Sequence, residues 1–278
     1  MPSRWEIILT GPAGAEIPPT APQAVVSSWL DDPPSRSPEG AGSEGMRSTH
    51  SAVVRGWACG PFSTASAASP DSAEAAITMQ VRLLDDSLED RLLDAARPGR
   101  RIRLGTSRYL VTSPATLASR TEWADLHDRT LDRAWQVRFD TPACFRRGNR
   151  TSPWPAPESV ARSLAERWQR LHPATAPPSP GPGSGQVWIS DIDGHSQVQL
   201  LVRHSRHSGQ KAAREVVSGF VGRIRYVCDR GSDAEASIFG ALLSFAAYAG
   251  VGSHTTYGFG VVSPETTWQP PSVKGGLP

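Results

Sequence analysis

The chain has 278 residues, of which 38% are hydrophobic, enough to build one or two buried cores and too many for a disordered protein. No apolar run approaches the ~20 residues that a membrane-spanning helix needs, and the N-terminal segment lacks the pattern of a secretory signal peptide. Cys59, Cys144 and Cys228 are widely spaced, so they form neither a disulfide framework nor a CxxC metal motif. We therefore expect a cytoplasmic protein with no membrane partner, no bound metal and no cofactor.

The net charge of +2 conceals a difference between the two halves. Residues 1–140 contain 15 Lys and Arg against 18 Asp and Glu, whereas residues 141–278 contain 14 against 9. Lys211 and Lys274 are the only lysines, so the cations are almost all arginines, which make forked contacts with phosphate. A basic second half fits an anionic partner, and it fits equally a compositional bias towards arginine.

The first half alternates strand and helix patterns. Residues of Ala75–Leu84 alternate as in a strand with one buried face, and Pro22–Asp32 has the i, i+3, i+4 apolar spacing of a helix. The other predicted elements are strands at Trp5–Thr10, His50–Cys59, Arg101–Leu104 and Arg108–Val111, a helix at Asp85–Ala96 and a short connecting helix at Thr121–Asp128. The order β-α-β-β-α-β over residues 1–128 is that of a ferredoxin-like domain.

The second half repeats this order without repeating the sequence. The predicted elements are helices at Glu158–Leu171 and Ser232–Ala249 and strands at Leu131–Asp140, Val187–Ile192, Val198–Val202, Gly219–Cys228 and Val251–Val262. Asp193-Gly194 is predicted to form a turn between two of these strands. The predicted fold is therefore α+β, with tandem ferredoxin-like domains at 1–128 and 129–265 and a tail at 266–278.

The segment FGALLSFAAYAGVGSHTTYGFGVV, residues 239–262, is the most informative. Its glycines follow a helix and lack the spacing of a dinucleotide-binding fingerprint, and the chain contains no GK[ST] of a phosphate-binding P-loop. Two roles remain open for this glycine-rich segment. Its backbone could approach a bound phosphate closely, or it could dock the helix onto the sheet.

This segment resembles the glycine-rich signature of the RAMP superfamily of CRISPR proteins, and in particular the sixth Cas family, the endoribonucleases that cut precursor CRISPR RNA. Three further stretches resemble the same family in the same order. They are the half-domain Met79–Thr112, the strand and TPxxF turn in WQVRFDTPACFRR with the following PxPxxVxxSLxxRW helix, and the strand GFVGRIRYV. The resemblance implies two ferredoxin-like domains and metal-independent cleavage of RNA.

The resemblance indicates His50 as the catalytic histidine, because it matches the family's N-terminal histidine before the second strand. A histidine transfers protons near neutral pH, and a nearby arginine such as Arg55 would stabilise the charged phosphorane. Five residues separate His50 from Arg55, which places them on opposite faces of a regular strand, and Arg47 is an alternative. Many relatives carry a tyrosine in the first helix, but Pro22–Asp32 contains none.

The basic stretches and the glycine-rich segment are the predicted RNA contacts. The predicted RNA-binding residues are Arg146, Arg147, Arg203, Arg206, Lys211, Arg214, Gly250, Gly252, His254, Gly258 and Gly260. A solvated basic surface is the alternative interpretation of the arginines.

The predicted function is therefore a metal-independent endoribonuclease that cleaves CRISPR repeat RNA by attack of the 2′-OH to produce mature guides. The alternative is a non-catalytic RNA-binding RAMP subunit of a CRISPR effector complex, whose other subunits would then be partners. A third interpretation is an unrelated protein in which the glycine-rich segment only packs.

Overall fold

The computed structural model describes residues 1–31, 54–64, 73–127, 132–148, 150–178, 186–203, 213–230 and 232–265. Within these ranges the chain forms two α+β units, each with an antiparallel sheet covered on one face by two helices. None of the helices in these ranges is both long enough and apolar enough to cross a membrane.

The first unit contains a sheet in the order β2-β3-β1-β5-β4. Its elements are β1 (Ser3–Pro12), α1 (Ala21–Leu30), β2 (Trp57–Thr64), β3 (Glu74–Leu83), α2 (Glu89–Ala95), β4 (Arg101–Leu104), β5 (Ser107–Val111) and β6 (Thr116–Arg120). The strands β5 and β6 pair with opposite ends of β1, at Thr10–Leu110 and Ser3–Arg120, and together occupy one edge of it.

The second unit contains a sheet in the order β10-β11-β7-β12. Its elements are β7 (Ala134–Ala143), the hairpin β8 (Phe145–Arg147) and β9 (Arg150–Ser152), α3 (Pro157–Leu171), β10 (Trp188–Arg203), β11 (Ala213–Val227), α4 (Asp233–Ala249) and β12 (Val262–Glu265). A capping box at Ser232 and Glu235 fixes the start of α4, because each side chain accepts a hydrogen bond from the other's backbone N–H.

Each unit has its own hydrophobic core. The alternating residues Ile7, Met79 and Val81 are fully buried beneath α1 and α2. In the second unit, Trp168 of α3 lies against Phe245 of α4 with 5.0 Å between ring centroids. Burial of these large aromatic rings fixes the angle at which the two helices cross the sheet.

The two units also contact each other directly. The guanidinium of Arg4 lies 5.8 Å from the ring centroid of Tyr248 on α4, and Arg82 of β3 is 2% exposed. Burial and the positive charge of Arg4 lower the pKa of Arg82 to about 10, whereas Asp140 of the second unit acts in the opposite direction. These contacts hold β2 and β3 of the first unit beside the C-terminal end of α4.

The predicted turn at Asp193-Gly194 is wrong. These residues lie inside the continuous strand β10, where they pair with Arg223 and Gly222 of β11. A Cβ atom on Gly222 would lie 2.2 Å from the carbonyl oxygen of Asp193. The two facing glycines therefore allow a close approach of two strands, a role that glycine has in sheets as well as in turns.

Three other predicted elements also differ from the structure. The strand predicted at Val251–Val262 is only β12, because residues 251–261 form turns and a short 3₁₀ helix. The helix predicted at Thr121–Asp128 is a series of turns over 123–127, in which Trp123 packs into the core of the second unit. The described part of the strand predicted at His50–Cys59 becomes a strand only at Trp57. The hairpin β8–β9 and the strand β6 were not predicted.

Candidate functional site

The glycine-rich turn, residues 250–260, folds back onto the C-terminal end of β7. Backbone hydrogen bonds join Ser253 N–H to the Cys144 carbonyl at 2.8 Å and Gly260 N–H to the Pro142 carbonyl at 2.9 Å. Gly252 has a φ of +73°, and a Cβ atom there would lie 2.2 Å from the oxygen of Cys144. Glycine is therefore required at this position by the packing of the protein against itself.

The polar face of α3 holds the other side of this turn. Arg167 donates hydrogen bonds to the carbonyls of Ala249, at 2.6 Å, and Gly252, at 3.5 Å. The hydroxyl of Ser163 accepts a hydrogen bond from the N–H of Gly252 at 3.2 Å. Arg167 thus binds one carbonyl at the C-terminus of α4 and one in the turn. Its positive charge lies at the negative end of the helix dipole, where it is stabilising.

Burial lowers the pKa of Arg167 to about 10, which still leaves the guanidinium charged at neutral pH. A desolvated charge of this kind is tolerated because its N–H groups are bonded to the carbonyls it faces. The side chain therefore serves as a fixed link between α3 and the glycine-rich turn.

A basic cleft of about 770 Å³ lies between the two units, beside this turn. One wall is formed by Val54, Arg55 and Trp57 of the first unit, and the opposite wall by α3, β8 and the turn. The described lining residues are Val54, Arg55, Trp57, Phe145, Arg146, Ser159, Arg162, Ser163, Glu166, Arg167, Arg170, Gly252, Ser253, His254, Thr255 and Thr256. Five arginines and one glutamate in this lining give the cleft a strong positive potential.

Of the two predicted catalytic residues, the structure describes Arg55, and His50 lies outside the described residues. The guanidinium of Arg55 forms an ion pair with Asp31 at 3.2 Å and lies 5.4 Å from the ring centroid of Trp57. Asp31 also accepts a hydrogen bond from the indole N–H of Trp57 at 2.9 Å. These contacts fix Arg55 at the wall of the cleft with 30% of its side chain exposed.

His254 is placed in the turn, with only 8% of its side chain exposed. Its backbone has a left-handed φ of +63°, and its ring packs against those of Tyr257 and Phe259. The Nε2 atom lies 4.0 Å from a carboxylate oxygen of Glu215. Most of the ring therefore contacts the protein itself.

The remaining predicted RNA contacts fall into three groups. Gly250, Gly258 and Gly260 share the turn with Gly252, and all three have positive φ. Arg146 and Arg147 are exposed on β8, and Arg146 lines the cleft. Arg206 and Lys211, and the side chains of Arg203 and Arg214, lie outside what the structure describes. For all of these residues, RNA contact remains a prediction.

The contribution of α3 to the site was not predicted from the sequence. Ser159, Ser163 and Arg167 recur at intervals of four, next to the buried stripe that contains Leu164 and Trp168, and Arg162 and Arg170 flank them. The resemblance motif SLxxRW contains both Ser163 and Arg167. This polar stripe was therefore visible, but the sequence did not indicate that it faces the glycine-rich turn.

The solved structures that align with this chain belong to a class of proteins with two tandem ferredoxin-like domains. The comparison therefore confirms the predicted fold. A structure described as a Cas6 product complex aligns with a TM-score of 0.64 and 21% identity over 95% of this chain and 99% of its own. Thermus thermophilus Cas6 aligns at 0.60 and 20% identity over 95% and 98%. A Cas6-related protein from Pyrococcus furiosus aligns at 0.55 and 13% over 96% and 100%.

The family model of the CRISPR-associated endoribonuclease Cas6 matches residues 137–262. Two Mycobacterium tuberculosis proteins, from strains CDC 1551 / Oshkosh and ATCC 25618 / H37Rv, carry the same family name. Each is 30% identical over 175 residues, which cover 61% of this chain and 51% of the relative. The chain thus spans about half the length of the curated relatives it matches. The resemblance inferred from the sequence is confirmed, and residues 137–262 are the part of the chain that matches the Cas6 family model.

The packing of the glycine-rich turn can be tested at two positions with similar backbone angles. We expect Gly252→Ala to lower the free energy of unfolding by about 1–3 kcal/mol more than Gly258→Ala, because a Cβ at residue 252 would lie 2.2 Å from the Cys144 carbonyl oxygen, whereas one at residue 258 would lie at an ordinary contact distance of 3.5 Å from that of Gly60. Both variants share the ~1–2 kcal/mol cost of a left-handed conformation. Urea denaturation followed by circular dichroism measures the difference. Equal losses would show that Cys144 does not limit the size of residue 252.

Proposed function

We propose that this chain is an endoribonuclease that binds CRISPR repeat RNA in the basic cleft and cleaves it to produce mature guides. The observation that carries the proposal is the charge of the cleft, whose described lining contains Arg55, Arg146, Arg162, Arg167 and Arg170 and one carboxylate, that of Glu166. Guanidinium groups suit RNA because they bind phosphate in a forked geometry and stack on bases. Two of the structural relatives are described as product and substrate-mimic complexes of Cas6.

Only a short stretch of chain separates the cleft from the predicted catalytic histidine. Val54 lines the cleft, and four peptide units separate it from His50. A chain of this length spans at most about 14 Å, which is the upper limit for the distance between the Cα atoms of His50 and Val54. This reach supports His50 as the proton-transfer residue.

The proposed reaction needs no metal ion because RNA carries its own nucleophile. The 2′-oxygen attacks the adjacent phosphorus and loses its proton, and the bond from phosphorus to the 5′-oxygen breaks. His50 would accept the first proton or donate one to the departing 5′-oxygen. The products are a 5′-OH end and a 2′,3′-cyclic phosphate, which can open to a 3′-phosphate.

Arg55 is proposed to stabilise the negative charge of the phosphorane. Its ion pair with Asp31 and its contact with Trp57 fix the guanidinium before RNA binds, so little side-chain entropy remains to be lost. His50 and Arg55 need not lie on opposite faces of a regular strand, because Arg55 precedes the first residue of β2.

A non-catalytic RNA-binding subunit is the second candidate function, because the ring of His254 is buried. His254 is the one histidine among the described residues of the cleft, and only 8% of its side chain is exposed, which leaves little of the ring to meet RNA. Purified protein incubated with its cognate repeat RNA in EDTA discriminates between the two functions. Binding without cleavage would support the subunit.

The role of His50 is tested by single-turnover cleavage of repeat RNA. We expect His50→Ala to lower the cleavage rate by ~10²–10⁴-fold, because the 2′-OH and the leaving oxygen lose their proton-transfer partner. RNA affinity should change little. An unchanged cleavage rate would exclude His50 as the proton-transfer residue and make His254 the next candidate.

The role of the cleft arginines is tested by the dependence of RNA affinity on salt. Removing Arg146 and Arg162 together should reduce the slope of log affinity against log salt by about 1.4, at ~0.7 for each lost phosphate contact. The matched control is Arg101→Ala with Arg108→Ala, two exposed arginines on β4 and β5 that do not line the cleft.

An equal slope in the cleft variant, the control variant and the wild-type protein would exclude the cleft as the main RNA track. The basic segment with Arg203, Arg206, Lys211 and Arg214 would then be the remaining candidate.

A further inference from the structure

Trp154 is exposed at a place where the fold has no structural use for an indole ring. About 49% of its surface is accessible, and within the described part of the chain its indole N–H makes no hydrogen bond. Trp188 is similarly exposed, but its indole N–H donates a hydrogen bond to Asp229 at 3.0 Å. About half of the apolar surface of the Trp154 ring is therefore available to a ligand.

The backbone around Trp154 is fixed. Pro153 and Pro155 flank it, and each proline restricts the backbone dihedral angles of its own residue and of the residue before it. The segment directly after Trp154 is buried, and the carbonyl of Pro155 accepts a hydrogen bond from the buried hydroxyl of Tyr226 at 2.9 Å. The ring is therefore presented by a preorganised loop, which reduces the entropy lost when a ligand stacks on it.

The surroundings of Trp154 are positively charged. Residues 141–158 contain three arginines, Arg146, Arg147 and Arg150, all exposed on the adjoining β8–β9 hairpin, against one carboxylate, Glu158 at the start of α3, which leaves a net positive charge. An apolar partner protein would gain little from an isolated aromatic ring among three cations. A nucleic-acid strand matches both features, because its phosphates pair with the arginines and its bases stack on the indole.

The hairpin connects Trp154 to the cleft. Phe145 and Arg146 line the cleft, and Phe145 pairs with Ser152, two residues before Trp154. Paired Cα atoms lie ~5 Å apart and two residues span at most ~7 Å, so the Cα of Trp154 lies within about 12 Å of that of Phe145. The indole is thus close to the rim, on the side of α3 and β8.

We propose that Trp154 is a base-stacking residue for single-stranded RNA at the rim of the cleft, with the arginines of the β8–β9 hairpin holding the adjacent phosphates. The proposal rests on the proposed function, since it extends the RNA path beyond the cleft. Stacking on an indole is tolerant of sequence because every base has a flat face. Trp154 therefore contributes affinity and register without reading the bases.

The test is fluorescence anisotropy with fluorescein-labelled repeat RNA in which each 2′-OH is replaced by 2′-O-methyl, so that the proposed attack on phosphorus cannot occur during the binding measurement. Trp154→Ala should weaken binding about 5- to 150-fold, whereas Trp154→Phe should restore most of the affinity because it keeps an aromatic face. The salt slope should stay at the wild-type value in both variants, since neither removes a charge.

The matched control is Trp188→Ala, which removes an equally exposed indole and should leave RNA affinity unchanged. Urea denaturation of all three variants separates loss of binding from loss of fold. Equal affinity of Trp154→Ala, Trp154→Phe and the wild type would overturn the stacking role while leaving the proposed function intact. A wild-type protein that neither binds nor cleaves the repeat RNA would instead overturn the proposed function.

Discussion

The arrangement of the site depends on one desolvated guanidinium. Arg167 reaches from α3 to the carbonyls of Ala249 and Gly252 and so links the end of α4 to the glycine-rich turn. Without this side chain, two carbonyl groups at a helix end would lose their donors, at a cost of about 1–3 kcal/mol for each group left buried. The link is stable because the helix dipole and the carbonyl oxygens replace the water that burial removes from the charge.

The face of α3 that binds the glycine-rich turn also supplies positive charge to the cleft. Ser163 and Arg167 bind the turn, and Arg162 and Arg170 on the same face line the space between the two units. The opposite wall comes from Val54–Trp57, where Asp31 fixes Arg55 by an ion pair. Each unit thus supplies one wall, and the contact of Arg4 with Tyr248 joins the first unit to the second.

Local patterns predicted the elements that have strong local signals. The helices α3 and α4 were predicted within a residue of their observed bounds, because α3 has a regular apolar stripe and α4 is a long segment rich in Ala, Leu and Phe. Asp193-Gly194 was misread because the same glycine that permits a turn also permits two strands to approach closely. The partner of the polar stripe on α3 could not be predicted, because tertiary packing alone places the glycine-rich turn against it.

We expect RNA to lie between the two units, against α3, the glycine-rich turn and the β8–β9 hairpin. Photocrosslinking of the wild-type protein to repeat RNA substituted with 4-thiouridine, followed by mass spectrometry of the peptides, measures this position. We expect crosslinks within residues 54–57, 145–170 and 252–256, which line or adjoin the cleft. Crosslinks confined to other surfaces, such as the exposed β4–β5 hairpin at 101–111, would show that RNA does not occupy the cleft.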